Sequence, residues 1–516
     1  MGAQQKNEAR AALVLAAMTI ANAMILVDQT AMPLTLPEIM HEYDIGATDV
    51  QWVLTASLLP LAGLLVLGGR LGDELGLRRV FLVGAVLFAG ASAIGGLAPV
   101  FEMLLAARLV QGVGGALMLP CSVAIVSETF PEERRGRALG AMGGIAAIAG
   151  ALGPTIGGVL TQAISWRAVL LVNTPLAIGC VLLTLRTVPG GAPRTGDARR
   201  IDVAGAVLLF VTLVTLVYGL AQVQTEPAGS LDVLAPVGVS ILTALAFVTH
   251  ERRAAVPLMS FRLLRRTPDY LGATISQGLA GIAEMGLGVL FPLLLILNLQ
   301  MDPALAGLAL IPTTVPMVVL APLAGRWYDR VGGRAPLAAG FAVLAISGVA
   351  LAIGVGANSY VAVLPGLLLY GIGLALVLTV NDPVSLDQVA PEDQGQASGV
   401  SATAEQGGGA IGIALLYALF HTAYVDRLYD IVNSEPLPDL DPRSAELLAR
   451  SLQEAEQTGL RPDHFDPSVI QYLLPARDAS DFGYGVAFVA VTIVALIGLV
   501  VALRLVRRRT QETAPA

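Results

Sequence analysis

The sequence predicts an all-α membrane protein with fourteen transmembrane helices, and three observations carry that expectation. Of its 516 residues, 55% are hydrophobic and 14% charged, with a mean hydropathy of +0.72; so apolar a chain is not built to stay dissolved in water. The apolar residues fall into fourteen runs, each near the ~20 residues a helix needs to cross hydrocarbon. The cations collect between these runs on alternate sides, the distribution by which Lys and Arg orient a membrane protein. The net charge of −8 therefore carries no solubility argument.

The runs cover approximately 11–36, 52–71, 79–98, 102–126, 138–162, 168–187, 201–222, 232–250, 269–297, 304–325, 335–356, 359–381, 397–424 and 482–505. With the N-terminus inside, the inner segments take all of the 31 Lys and Arg except Arg108, Arg167 and five arginines of the last outer loop. Both termini are then expected to be cytoplasmic. Only Lys6 is lysine, and this Arg bias, with abundant Ala and Gly, suggests a GC-rich bacterial genome and hence the bacterial plasma membrane.

A duplication organises the chain. GRLGDELGLRR at 69–79 returns, loosened, as GRWYDRVGGR at 325–334, so that Gly69, Asp73 and Gly76 fall on Gly325, Asp329 and Gly332. Parallel repeats of this kind build many secondary transporters. Each copy must reverse a chain leaving the membrane; glycine supplies the turn, and a carboxylate is favoured near a helix start. The first turn joins helices 2 and 3 and the second joins helices 10 and 11, so six-helix bundles at 1–187 and 269–505 flank an insertion at 188–268 that holds helices 7 and 8. A long outer loop at 426–481 and a cytoplasmic tail at 506–516 complete the division.

Helix 1, TIANAMILVDQTAMPLTLP, holds Asp28 at membrane depth, where a carboxylate is costly and must pair, protonate or meet water. Lys6 and Arg10 before the apolar run imitate a signal peptide, but the run continues to Pro37 and is read as a helix. Helix 4, LLAARLVQGVGGALMLP, holds Arg108 at a depth similar to that of Asp28, so at ~1.5 Å rise per residue the two can share a level. Its Gly112, Gly114 and Gly115 permit close helix packing. Helix 5 follows the basic turn PEERRGR and contains GALGPTIGGVL, where Pro154 bends the helix and Gly153, Gly157 and Gly158 leave it a smooth face suited to a pivot or gate. Trp166 anchors the start of helix 6 at the interface.

Basic segments at 188–200 and 251–266 flank helices 7 and 8. In helix 9 the repeat offset carries Asp28 onto Glu284, a second acid at membrane depth, and helix 13 adds Glu405. Local hydrogen bonding or a water-facing wall is the alternative reading of both. Helix 14 ends in RLVRRR, a basic stop. Cys121 and Cys180 lie inside spans at no disulfide or metal spacing and read as packing residues.

These stretches together resemble the major facilitator superfamily, in its fourteen-span drug:proton antiporter branch. LVDQTAMPLTLP is similar to that branch's first-helix motif and GRLGDELGLRR to the superfamily's loop between helices 2 and 3. LLAARLVQGVGGA is similar to the helix 4 motif, GALGPTIGGVL to the antiporter motif of helix 5 and WRAVLLVNTP to the opening of helix 6. Departures are Ala149 where the antiporter motif has a glycine, Ser57 where an aromatic is usual, Leu77 for a cation in the loop, and an acid at Glu405 where a basic neighbour is common.

The resemblance implies two bundles that rock about a central cavity, exporting lipophilic and, given the acids, cationic drugs in exchange for protons. Asp28, Arg108, Glu284 and Glu405 are the expected coupling residues. Asp28 is expected to carry the proton under the influence of Arg108, while Glu284 or Glu405 meets the cation. Gly69, Asp73, Gly76, Arg78 and Arg79, with Gly325, Asp329, Arg330 and Gly332, are the expected gating loop, and Gly153, Pro154, Gly157 and Gly158 the antiporter helix.

Export of a dedicated natural product, lipid or siderophore fits the same scaffold; uptake symport and a non-transporting receptor or assembly factor are rival classes. No nucleotide loop, metal cluster or nucleophile arrangement occurs, so no catalytic or metal-binding residue, cofactor or nucleic-acid partner is expected. The expected partners are a small-molecule cargo, protons and the bilayer, and the chain is expected to act as a monomer.

Overall fold

The computed structural model describes residues 2–190, 202–387, 394–434 and 466–507 apart from 224–225, 228, 255–256 and 260, together with 389, 447–448, 451–452, 460 and 462. Fourteen helices among them are long and apolar enough to span a membrane: α1 (Glu8–Tyr43), α2 (Trp52–Leu75), α3 (Leu77–Gly96), α4 (Phe101–Thr129), α5 (Arg137–Ala163), α6 (Arg167–Thr187) and α7 (Val203–Gln222), then α8 (Leu231–Glu251), α9 (Pro268–Asn298), α10 (Pro303–Val331), α11 (Arg334–Val355), α12 (Tyr360–Leu386), α13 (Ala397–Ile431) and α14 (Ile470–Leu505). Helices satisfy their own backbone hydrogen bonds, which lipid cannot do for them. The face that carries both chain ends is called inner below.

Most helix bounds fall within a few residues of the apolar runs, and the exceptions have local causes. Beyond its predicted end at 381, α12 continues to Leu386, because the Asn381 amide donates to the Ala273 carbonyl at 2.9 Å and to Gln277, keeping a polar stretch packed and helical. Much of the predicted outer loop's two ends is also helix. There α13 carries stacked aromatic rings outward, with Phe420 4.4 Å from Tyr484 of α14, and Leu448, Leu460, Val469, Tyr472 and Leu473 form a small apolar cluster beside them. Residues 435–446 and most of 449–465 of that loop, the basic linker from 191 to 201 and the tail from 508 to 516 lie outside the described residues.

Two helices change winding near the outer face. In α1 the chain tightens to a 3-10 turn over Met32–Thr35, where Pro33 removes a donor. Just after Pro292, α9 ends in a π turn over Leu294–Asn298, and the Asn298 amide donates to Asp481 of α14 at 2.7 Å. Both repeated charged turns put a glycine at positive φ: Gly76 has φ 97° and Gly332 has φ 79°, the region in which a side chain is strained.

Within the first half, α1 packs on α5 and α6, and α4 on α2 and α3; within the second, α9 packs on α13 and α11 on α12 and α14. The inserted pair forms a hairpin in which α7 leans on α2 and α13 while α8 faces mostly outward. Cys121 and Cys180 are buried free thiols, in keeping with a packing role.

Candidate functional site

The first half holds a closed polar net. Arg108 of α4 lies 2.6 Å from the Asp28 carboxylate of α1, and only 1% of its surface is exposed. Its remaining donors reach the Val53 carbonyl (2.8 Å), Gln111 Oε1 (2.6 Å) and Ser57 Oγ (2.7 Å). The other carboxylate oxygen of Asp28 accepts from Gln111 at 3.0 Å and from Asn173 of α6 at 2.9 Å. Gln111 also donates to Ser92 of α3 at 3.0 Å, so the net joins five helices. Burying two charges this deeply is tolerable only because nearly every polar atom is answered. Ser57, which departs from the expected aromatic, is small enough to complete the net.

Between the halves lies a cavity of about 730 Å³. Ser57 and Arg108 form part of its wall, while Asp28 stands behind them and does not line it. The opposite wall carries the other acids. Glu284 of α9, Asp382 of α12 and Glu405 of α13 all line the cavity, among mostly apolar neighbours such as Met285, Phe291, Leu374 and Leu378. Glu405 accepts from Gln277 of α9, which in turn accepts from Asn381. Glu284 has a buried carboxylate oxygen with no hydrogen-bond partner among the described residues, and its backbone carbonyl accepts from the Tyr370 hydroxyl at 3.2 Å. Among the described residues Arg108 is the sole cationic side chain lining the cavity, and its charge is balanced by Asp28. The cavity thus faces its contents with three carboxylates and no free positive charge.

Asp382 is the functional-site residue that sequence reasoning missed, since an acid between Asn381 and Pro383 reads as the polar end of a span. A second omission is a bridge between the halves: the Gln29 amide donates to Gln406 Oε1 at 3.1 Å, each residue the chain neighbour of an expected coupling acid.

The glycine-proline stretch of α5 packs in two directions at once. Side chains at Gly153 and Gly157 would collide with Thr30 and Ala31 of α1, and one at Gly158 with the Pro303 carbonyl at the start of α10. The Pro154 carbonyl meets Gly307 of α10 just as closely, and Thr155 Oγ1 donates to the Gly307 carbonyl at 3.1 Å. These contacts hold α5 against the outer part of α10. Toward the inner end a side chain at Gly143, Gly144 or Gly325 would meet nothing within 4 Å.

The charged turns lie apart from the cavity. Asp73, Gly76 and Arg78 border a separate inner-face pocket of about 470 Å³ with Arg10 and Glu128. Arg78 donates to the Leu185 carbonyl of α6 at 2.9 Å, and Gly69 packs on Pro120. In the second copy Asp329 and Arg330 are exposed, as is Arg79 in the first.

The model of the Major Facilitator Superfamily matches residues 18–413. The chain belongs to that superfamily. This facilitator is 31% identical to the tetracenomycin C resistance and export protein of Streptomyces glaucescens, over 97% of the chain and 93% of that protein. It is 36% identical to the cephamycin export protein CmcT of Amycolatopsis lactamdurans, over 80% and 85%. Among solved structures, a bacterial homologue of the human lysosomal transporter Spinster, crystallised inward-facing and unoccupied, shares the fold with a TM-score of 0.63 at 15% identity, covering 96% of this chain and 98% of that one. Its curated relatives are antibiotic and multidrug exporters, and this facilitator is a multi-pass bacterial membrane protein of a transporter family rather than of an enzyme family.

Proposed function

We propose that the protein is a proton-coupled antiporter that exports lipophilic, cationic small molecules from the cytoplasm or inner leaflet by alternating access, with both termini in the cytoplasm. The observation that carries this reading is the cavity: it lies between α5 and α10, which pack closely at their outer ends, and is lined by Glu284, Asp382 and Glu405 in mostly apolar surroundings. Apolar walls attract a lipophilic body, and an ionised carboxylate attracts its charge. A proton that neutralises the same carboxylate removes that attraction, so cargo and proton compete for one group.

Asp28 and Arg108 retain a coupling role in this scheme. Protonating Asp28 removes the charge that holds Arg108 and frees a cation at the cavity wall, which disfavours a cationic cargo. Glu284 and Glu405 are the groups for which proton and cargo compete directly.

The test uses purified protein in liposomes with an imposed pH gradient and a fluorescent lipophilic cation. Transport is expected to move the cation against the proton flow, to stop when the gradient is collapsed, and to fall at least tenfold in Glu284→Gln/Glu405→Gln. Transport unaffected by collapse of the gradient would overturn the coupling, and movement in the direction of the protons would overturn export.

A second reading is favoured by the relatives named for the export of one antibiotic each: a dedicated natural-product exporter on the same scaffold. It predicts transport of one chemotype in a panel of unrelated cations, whereas the first reading predicts transport of many.

A further inference from the structure

Two seams run between the halves, and the inserted helices treat them differently. One lies between α2 and α13, where Val66 packs against Gly399 and the Gln29–Gln406 bond crosses nearby. Over it lies α7. Phe210 presses on Gly63 of α2, Leu213 approaches Gly407 of α13, and the rings of Trp52 and Tyr218 stand 6.2 Å apart. Leu213 and Val217 are buried by this arrangement. No apolar surface can be hidden from lipid in the membrane plane without a helix to cover it, and α7 is that cover.

The other seam, between α5 and α10, carries no such cover among the described residues. Its outer half is sealed by the Gly158–Pro303 and Pro154–Gly307 contacts, and Gln162 accepts from the Ala304 amide at 3.2 Å. Its inner half has space beside Gly140, Gly143, Gly144 and Gly325. Ile148 of α5 and Val318 of α10 line the cavity and are nevertheless 45% and 38% exposed. The inner half of this flank is therefore apolar, and glycine strips it of side chains.

We propose that the inserted hairpin closes one flank of the transporter, so that cargo dissolved in the inner leaflet reaches the cavity laterally through the α5/α10 flank alone. An amphiphilic cation gathers where headgroups meet acyl chains, with its charge at the water side and its body in hydrocarbon. A passage with an apolar rim leading to carboxylates accepts such a molecule without first dissolving it in water. The nature of the cargo rests on the function proposed above; the one-sided opening does not.

The experiment reads the opening without any cargo. Single cysteines replace Ile148, Val318 or Val66 in the full chain, whose own two thiols are buried, and carry a fluorophore in liposomes containing phospholipid spin-labelled on its acyl chain. Quenching is expected to be several-fold stronger at positions 148 and 318 than at 66, and to rise at 66 when Phe210→Ala/Leu213→Ala thins the cover. Should that pair fail to fold, Tyr218→Ala supplies the milder version of the same change. Equal quenching at 66 and 148 in the otherwise unaltered protein, or none at 148, overturns the proposal. So does a thinned cover that leaves 66 unquenched. Failure of export in the liposome assay leaves these readings unchanged, so the two ideas fail separately.

Discussion

Gln29 of α1 and Gln406 of α13 are hydrogen-bonded at 3.1 Å across the two halves, each one peptide bond from an intramembrane acid, Asp28 and Glu405. A cycle in which the halves rock must alter the packing around this bond. A typical net hydrogen bond contributes about 0.5–1.5 kcal/mol. Gln29→Ala and Gln406→Ala are each expected to change the transport rate several-fold with little change in substrate affinity. The double variant should be no worse than the singles, the signature of residues that act as a pair. Additive losses in liposome transport would count against pairing.

Removing Arg108 leaves Asp28 as a buried charge without its cation, which costs on the order of 3–5 kcal/mol. Arg108→Ala is therefore expected to lower the unfolding temperature in detergent markedly. Asp28→Asn preserves the shape of the net and is expected to fold, yet to lose movement of drug driven by an imposed pH gradient. An Asp28→Asn protein that exports normally under that gradient removes Asp28 from the coupling set.

The pairing of Asp28 with Arg108 was legible in the sequence because depth in a membrane helix can be counted from its ends. The two charged turns were legible too, and each puts a glycine at positive φ, Gly76 and Gly332. Asp382 was not, because hydropathy ends a span at the first polar cluster, while α12 continues wherever neighbours such as Gln277 and Ala273 satisfy its side chains. The Gln29–Gln406 bridge was hidden for another reason: nothing in the residues themselves says which helices of the two halves meet. The same is true of the position of α7, which the repeat shows only as an insertion.

Asp382 adds a third carboxylate to the cavity wall. Asp382→Asn is expected to weaken a cationic cargo about five- to tenfold, as ~1 kcal/mol of partly solvated attraction implies, and to leave a neutral cargo of the same shape unaffected. Binding of matched charged and neutral probes, measured by fluorescence titration, separates this effect from a general loss of packing.

A larger residue at Gly158 must push the start of α10 away, because the Pro303 carbonyl occupies its place. Gly158→Leu is expected to open the outer end of the cavity and slow export severely. Thiol reagents added outside should then react faster with a cysteine at Leu310, a cavity-lining position of α10; an unchanged rate would deny the closing role of this contact.

Gly76→Ala and Gly332→Ala place a side chain at a positive φ that is rarely populated without glycine, at a cost of about 1–3 kcal/mol each. The two are expected to lower thermal stability by similar amounts, as equivalent points of one repeated design. A large difference between them, measured by thermal unfolding, would show that the turns have diverged in role.

The neutrality of the Asp28–Arg108 pair has an electrical consequence. Membrane voltage does work only on net charge that moves, about 2.3 kcal/mol per elementary charge per 100 mV, so a compensated pair contributes almost nothing to it. While Asp28 is ionised, the response of the cycle to voltage resides in α9, α12 and α13 and in whatever their carboxylates hold; once Asp28 is protonated, the charge of Arg108 joins it. Exchange of one monovalent cation for one proton generates no current, and a second proton per turnover makes the same machine electrogenic.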